Sequence, residues 1–380
     1  MTDVLNMTPV SMNPFERVWD EVGHDVLAAT KRVGASGWYV LGKEVEAFEN
    51  AFAQFCHAPH AVGVASGLDA IEVGLRALDI VPGDPVLTTP LTAFPTTLAI
   101  LRAGGVPVFV DVDEHGLLDL DRCDALLRQR PDIRYCVPVH LYGQALNLDR
   151  LRELQQEHGL HVVEDAAQAH GASFAGQPVG TVGEFTAYSF YPTKNLGALG
   201  DAGALTCRDP DLAERARSLR NYGQSAHYVH DDLGLNSRLD ELHAAILRDA
   251  LLPRLPAWTE RRREIAARYR DALGGPALTP VPIRDPEGCV HHLFAIRVAN
   301  GPRSEFRDYL SEAAIESGVH YPTLVFTQKA IASRYSEVRT PVAQHLADEQ
   351  VSLPIHPLVT DEEITRVIER CQAWEALQAR

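Results

Sequence analysis

Closely spaced cysteines are missing from this sequence. The six in 380 residues, Cys56, Cys123, Cys136, Cys207, Cys289 and Cys371, all lie more than four positions apart. Neither a zinc knuckle nor a CxxC redox motif can be built from that spacing, so no metal site is expected. So sparse a thiol content fits a reduced, cytoplasmic protein. Positive charge is also in deficit: 35 Lys and Arg stand against 51 Asp and Glu, a net −16 with His neutral. A surface so acidic disfavours nucleic acid and anionic membranes, which require local positive charge. One small anionic ligand in a local site stays compatible with it. Long apolar runs are lacking as well. The best candidate, Pro85 to Leu101, carries Pro85, Pro90 and Pro95 and reads as buried strand and turn, not as a membrane span. No basic region followed by an apolar core opens the chain, so no signal peptide is expected.

What is present is an alternation of strand-like and helix-like segments between about residues 60 and 210. His60–Ala65, Pro85–Thr89, Val106–Val112, Tyr135–Leu141, Leu160–Glu164, Thr186–Phe190 and Gly203–Thr206 are rich in β-formers. Asp69–Leu78 has helical spacing, with Ile71, Leu75 and Leu78 on one face. Such alternation predicts a largely parallel sheet between helices, with ligands at the carboxyl ends of the strands. Pro253 and Pro256 suggest a chain break, dividing a large domain (1–252) from a smaller C-terminal α/β domain (253–380). The second unit contains an amphipathic helix, Trp258–Leu273, whose Arg261, Arg262 and Arg263 read as a solvated face. A last helix from Asp361 to Leu377 is capped by Thr360.

Four segments could carry chemistry. Val64-Ala65-Ser66-Gly67-Leu68-Asp69 passes from a strand through a Ser-Gly turn into a helix. Free N–H groups and the helix dipole make that point fit for a phosphate, although Ser66 alone is equally a helix cap. Glu164-Asp165-Ala166-Ala167-Gln168 puts a carboxylate at the end of a buried strand, which is costly without a cation or donors. Asp165 could cap a helix or pair with the protonated ring nitrogen of pyridoxal phosphate (PLP). Ser189-Phe190-Tyr191-Pro192-Thr193-Lys194 leads into a glycine-rich turn. Lys194 could be solvated, or be a Schiff-base lysine held in a desolvated place. Asn236-Ser237-Arg238 opens a fourth turn, again compatible with a simple cap.

Taken in order, these segments resemble the DegT-type nucleotide-sugar aminotransferases, PLP enzymes of aspartate-aminotransferase fold type I. The likeness runs from Ser36-Gly37-Trp38-Tyr39-Val40-Leu41-Gly42 to Thr360-Asp361-Glu362-Glu363, through Val139-His140-Leu141-Tyr142-Gly143 and His320-Tyr321-Pro322. The resemblance implies that Lys194 carries the cofactor, Asp165 holds the ring nitrogen and Gln168 the phenolic oxygen. It implies that Ser66, Gly67 and Ser189 hold the phosphate. Asn236 would reach the phosphate of a neighbouring subunit, making an active homodimer. His320 and Tyr321 would lie near the substrate. One position departs from the pattern: Ala93, followed by Phe94, stands where an aromatic often covers the cofactor ring. His243 also stands where Gln is commoner.

Ser-Gly-Leu-Asp-Ala and Lys-Asn-Leu-Gly-Ala-Leu-Gly-Asp are similar to the branch that aminates C3 of keto-deoxysugars. The expected reaction is transfer of an amino group, with L-glutamate as donor, to a nucleotide-linked keto sugar such as a dTDP-3-keto-6-deoxyhexose. A C4-keto sugar, a cyclitol ketone, a C3 dehydration or a non-catalytic regulator are the rival expectations. Lys194 argues against dehydration, because relatives of that kind carry His there. Loops 224–235 and 320–328 are expected to shape specificity. Arg220 and Arg238 are candidates for the diphosphate or for structural ion pairs.

Overall fold

The computed structural model describes residues 8–299 and 303–379. Two helices open the fold, α1 (Phe15–Ser36) and α2 (Lys43–Phe55). Strands and helices then alternate: β1 (His60–Val64), α3 (Gly67–Ala77), β2 (Pro85–Thr88), α4 (Phe94–Arg102), β3 (Val106–Phe109), α5 (Leu120–Leu127), β4 (Tyr135–Val137), α6 (Leu148–His158) and β5 (His161–Asp165). A short hairpin, β6 (Ser173–Phe174) and β7 (Gln177–Pro178), leads to β8 (Phe185–Ser189) and β9 (Gly203–Cys207). After α7 (Pro210–Leu219) come an exposed hairpin, β10 (Gln224–Ala226) and β11 (Val229–His230), and helix α8 (Glu241–Ile246).

Seven strands form one sheet in the order β1-β9-β8-β5-β4-β2-β3. Only β9 runs against its neighbours. Neighbouring residues along each strand enter different cores, as the two-residue period of a strand demands. Val163, Ala187, Leu205 and Val62 pack with α3, α4 and α7 on one face. Val162 turns to α5 and α6, and Ala61, Tyr188 and Ala204 turn to α1, α2 and α8, on the other. The sheet is thus buried on both faces, which is why its strands are legible as apolar runs. The carboxyl ends of β1, β5 and β8 and the start of β9 meet at one edge.

Beyond residue 246 the backbone stays helical through a π turn (Leu247–Leu251) and a 3₁₀ turn (Leu252–Arg254) into α9 (Leu255–Ala272). Pro253 and Pro256 therefore do not interrupt the helical backbone there. Pro256 occupies the first turn of α9, where a missing N–H costs little. A three-stranded antiparallel sheet follows, from β12 (Leu278–Pro280), β13 (Phe294–Val298) and β14 (Gln350–Leu353), with α10 (Arg303–Ser311), α11 (Pro341–Glu349) and α12 (Asp361–Gln378). Val10 joins this core through a bridge to Ile315. Thr360 caps α12 in a reciprocal capping box with Glu363. The expected strand Tyr135–Leu141 ends at Val137, and a tight turn at Leu141–Gly143 replaces its tail.

The basic run on α9 is not a uniform solvated face. Arg261 pairs with Glu264 and Asp361, and Arg263 with Glu260. Arg262, one position round the helix, is only 4% exposed.

Candidate active site

At the turn between β1 and α3, Gly67 and the neighbouring Gly203 are packed too tightly to carry a side chain. Ser66 caps α3, its Oγ accepting from Asp69 N at 3.1 Å. A Cβ added to Gly67 would stand 2.6 Å from the Cβ of Ser189. One added to Gly203 would stand 2.4 Å from the carbonyl carbon of Ser66. Gly203 pairs with Val64 of β1 and Ser189 of β8, so Ser66, Gly67 and Ser189 are drawn into one cup. Backbone N–H groups at the start of an eleven-residue helix face that cup, the arrangement that binds a phosphate.

Asp165 ends β5 and is buried. Its Oδ2 accepts from Thr96 Oγ1 at 2.7 Å, and its Oδ1 from Ala167 N at 3.0 Å. Thr92 Oγ1 lies 3.0 Å from Thr96 Oγ1, extending the chain of hydroxyls. Charge-assisted bonds of this kind keep a buried carboxylate fixed in place. Gln168, one turn on, is held at both ends. Its Oε1 accepts from Tyr142 N at 2.7 Å, and its Nε2 donates to Tyr321 Oη at 3.0 Å.

Lys194 sits in the loop after β8. Burial lowers its ammonium to about 8, against the opposing pull of the Asp165 carboxylate. An appreciable neutral fraction at pH 7 is what a nucleophilic lysine requires. Around it stand three histidines held neutral by burial and by the Lys194 charge. His170 is lowered to about 3 and His320 to about 4, and His292 is also depressed. His170 packs against Tyr188 and Phe190. His292 Nδ1 lies 3.1 Å from Asn195 Oδ1. His320 Nδ1 is 2.9 Å from Ser352 Oγ, and its carbonyl accepts from Tyr142 Oη at 2.7 Å.

The structure therefore gathers Ser66, Gly67, Asp165, Gln168, Ser189, Lys194, His320 and Tyr321 at one sheet edge. Asn236 is exposed and forms an antiparallel bridge with Asn221; its neighbour Ser237 instead ties Ala65 N and Asp69 to the turn. Arg220 is a structural ion pair, buried against Glu49. Arg238 donates to Asn221 Oδ1 at 3.1 Å and lies over the Tyr222 ring. Ala93 caps α4 and Phe94 is its first residue, and the same segment supplies Thr96 to Asp165. Thr96, Tyr142 and His292 escape sequence reasoning. The spacing of Thr92 and Thr96 could have flagged a helical pair once α4 was known to begin at Phe94.

These residues fit PLP: a cup of backbone N–H groups for its phosphate, a fixed carboxylate for its ring nitrogen and a desolvated lysine for its aldehyde. The family model described as the DegT/DnrJ/EryC1/StrS aminotransferase family matches residues 20–372. The dTDP-3-amino-3,4,6-trideoxy-alpha-D-glucose transaminase of Streptomyces venezuelae is 43% identical over 94% of this chain and 93% of its own length. The dTDP-3-amino-3,6-dideoxy-alpha-D-galactopyranose transaminase of Aneurinibacillus thermoaerophilus is 42% identical over 91% of this chain and 94% of its own. The crystal structure of S. venezuelae DesV in complex with a ketimine intermediate superposes with a TM-score of 0.93 at 41% identity, covering 97% of this chain and 99% of that one. The chain belongs to the DegT/DnrJ/EryC1/StrS aminotransferase family and is a PLP-dependent aminotransferase.

Proposed function

We propose that the protein moves an amino group from an amino acid, L-glutamate, to the C3 ketone of a dTDP-linked 3-keto-6-deoxyhexose. The observation that carries this is a desolvated Lys194 within the field of the Asp165 carboxylate, with His320 within the field of Lys194 and Tyr321 hydrogen-bonded to Gln168. The names of the two relatives, both 3-amino dTDP-sugar transaminases, support C3 over C4 and over a cyclitol.

PLP, when bound, supplies an electron sink for the carbon that loses or gains a proton. Asp165, fixed by Thr96, would hold a proton on the ring nitrogen. Gln168, oriented by Tyr142 N, would donate to the phenolic oxygen. Ser66, Gly67 and Ser189 would hold the phosphate. Lys194 Nζ would take up and return the proton, its lowered ammonium suiting both directions near neutral pH. His320 and Tyr321 border the substrate.

The active unit in this reading is a homodimer in which Asn236 reaches the neighbour's phosphate. Support comes from large apolar side chains left exposed: Trp38, Tyr39, Leu199, Tyr228 and Leu233. The reading further divides the chain into a cofactor-binding unit to residue 252 and a smaller unit beyond it. It places the enzyme in the cytoplasm; no helix among the described residues is long and apolar enough to cross a membrane.

The test follows the two half-reactions separately by absorbance. L-Glutamate should bleach the visible band of the holoenzyme, and a dTDP-3-amino-6-deoxysugar should do so from the other side. Lys194→Ala should abolish turnover. Full activity of that variant, or a response to the 4-amino sugar alone, would overturn the reading.

A further inference from the structure

Arg262 is a buried cation with no acid beside it. It is 4% exposed, and no carboxylate among the described residues contributes to its environment; burial alone acts on it, lowering it to about 9. Its Nη1 donates to the carbonyls of Ile355 (3.2 Å) and His291 (3.4 Å), and its Nε has no acceptor among the described residues. An unpaired charge in such a place is strongly unfavourable unless something negative joins it. Its helix neighbours Arg261 and Arg263 show the contrast, since both are paired at the surface.

The guanidinium borders two cavities that flank the lysine loop. One, of about 190 Å³, is also lined by Asn13, Thr193, His292 and His320. The other, of about 250 Å³, reaches Lys194 and His356. Neither lining contains Asp or Glu. The histidines there are neutral, His356 being depressed to about 2 by burial, Arg262 and Arg17. Arg262 and Lys194 are the charged side chains among the residues lining these two cavities, and Lys194 is committed to the chemistry.

We propose that Arg262 is the anchor for a carboxylate of the amino donor, received through the cavity between Thr193 and His320 so that the donor's amine faces the Lys194 end of the site. A planar guanidinium fork matches a planar carboxylate in two parallel bonds. A cavity of this volume suits an amino acid. Arg262 then distinguishes the donor half-reaction from the sugar half-reaction. This rests on the reading that the second substrate is an amino acid.

The experiment compares wild type with Arg262→Lys and Arg262→Met, each as PLP-loaded holoenzyme. Calorimetry with glutarate, which has the carboxylates of glutamate and no amine, reads the subsite without turnover. Glutarate should bind wild type and lose roughly 10- to 100-fold in affinity in Arg262→Met, the range for a charge-assisted hydrogen-bonded pair. Stopped-flow bleaching by L-glutamate should fall by a similar factor in kcat/KM, with Arg262→Lys intermediate. Bleaching by the dTDP-3-amino sugar should fall far less, which also shows that the variants are folded. Equal glutarate binding by wild type and Arg262→Met, no binding by wild type, or equal loss in both half-reactions would overturn the proposal. Failure of wild type to respond to the amino sugar would instead refute the substrate reading, with the glutarate titration still deciding the role of Arg262.

Discussion

Replacing Gly203 with Ala should damage the cofactor cup by pressing on its backbone, with no functional side chain removed. Gly203 begins β9, between Val64 and Ser189. The new methyl would stand 2.4 Å from the Ser66 carbonyl carbon, 2.5 Å from its oxygen and 2.7 Å from Gly67 N. Ordinary contact begins near 3.4 Å, so the turn must retreat by about 1 Å. All three atoms are backbone, and a strand bonded on both sides cannot give way. Overpacking of this kind costs about 1–3 kcal/mol of stability. A displacement of about 1 Å in a positioning element can cost about 100-fold in function, here as PLP affinity. Urea unfolding of the apoprotein and spectral titration with PLP would measure the two effects. Gly34→Ala is the control: nothing lies within 4 Å of the added carbon, inside helix α1, and a gain of about 0.5–1 kcal/mol is expected. If Gly203→Ala matched wild type in both unfolding midpoint and PLP affinity, the argument that the cup depends on close backbone approach would be wrong.

Three further outcomes are expected. Thr96→Val removes the donor to Asp165 Oδ2; a bond to a charged group is worth about 1.5–3 kcal/mol, so kcat should drop at least tenfold while the fold, checked by circular dichroism, is kept. Glu49→Ala strands the Arg220 guanidinium and leaves Gly63 N without its acceptor. Loss of one partner of a buried pair costs about 3–5 kcal/mol, and an unchanged urea midpoint would contradict that. Lys194, with an ammonium lowered to about 8, is about one-tenth neutral at pH 7, where an unperturbed lysine is about 0.04% neutral. The sign is upward: PLP uptake by the apoprotein should quicken with pH and level off above a midpoint near 8. A rise continuing past pH 10 would show that the amine is not desolvated.

The strands of the main sheet were legible because burial on both faces turns each into an apolar run, as in His161–Asp165 and Gly203–Cys207. Their order told where ligands would gather. Ser66, Asp165 and Lys194 could each be an ordinary cap or surface charge. What the sequence carried was their succession, each placed just past a strand end or at one, together with the family likeness. The prolines near residue 253 misled because a proline in a first turn starts a helix as readily as it stops one.

The sequence by itself determined the class of fold and the ordered set of residues at the strand ends, since these follow from local periodicity and from motifs close in the chain; the cofactor chemistry came from the family likeness that those motifs carry in order. Tertiary structure alone decided what those residues touch. Thr96 and Asp165 lie 69 positions apart, Gln168 and Tyr321 lie 153 apart, and Arg220 meets Glu49 across 171. It also decided that Arg262 would be buried while Arg261 and Arg263 stay at the surface. Three arginines in a row look alike in a sequence. A helix turns about 100° per residue, and only the packing of its neighbours determines which of the three loses its water.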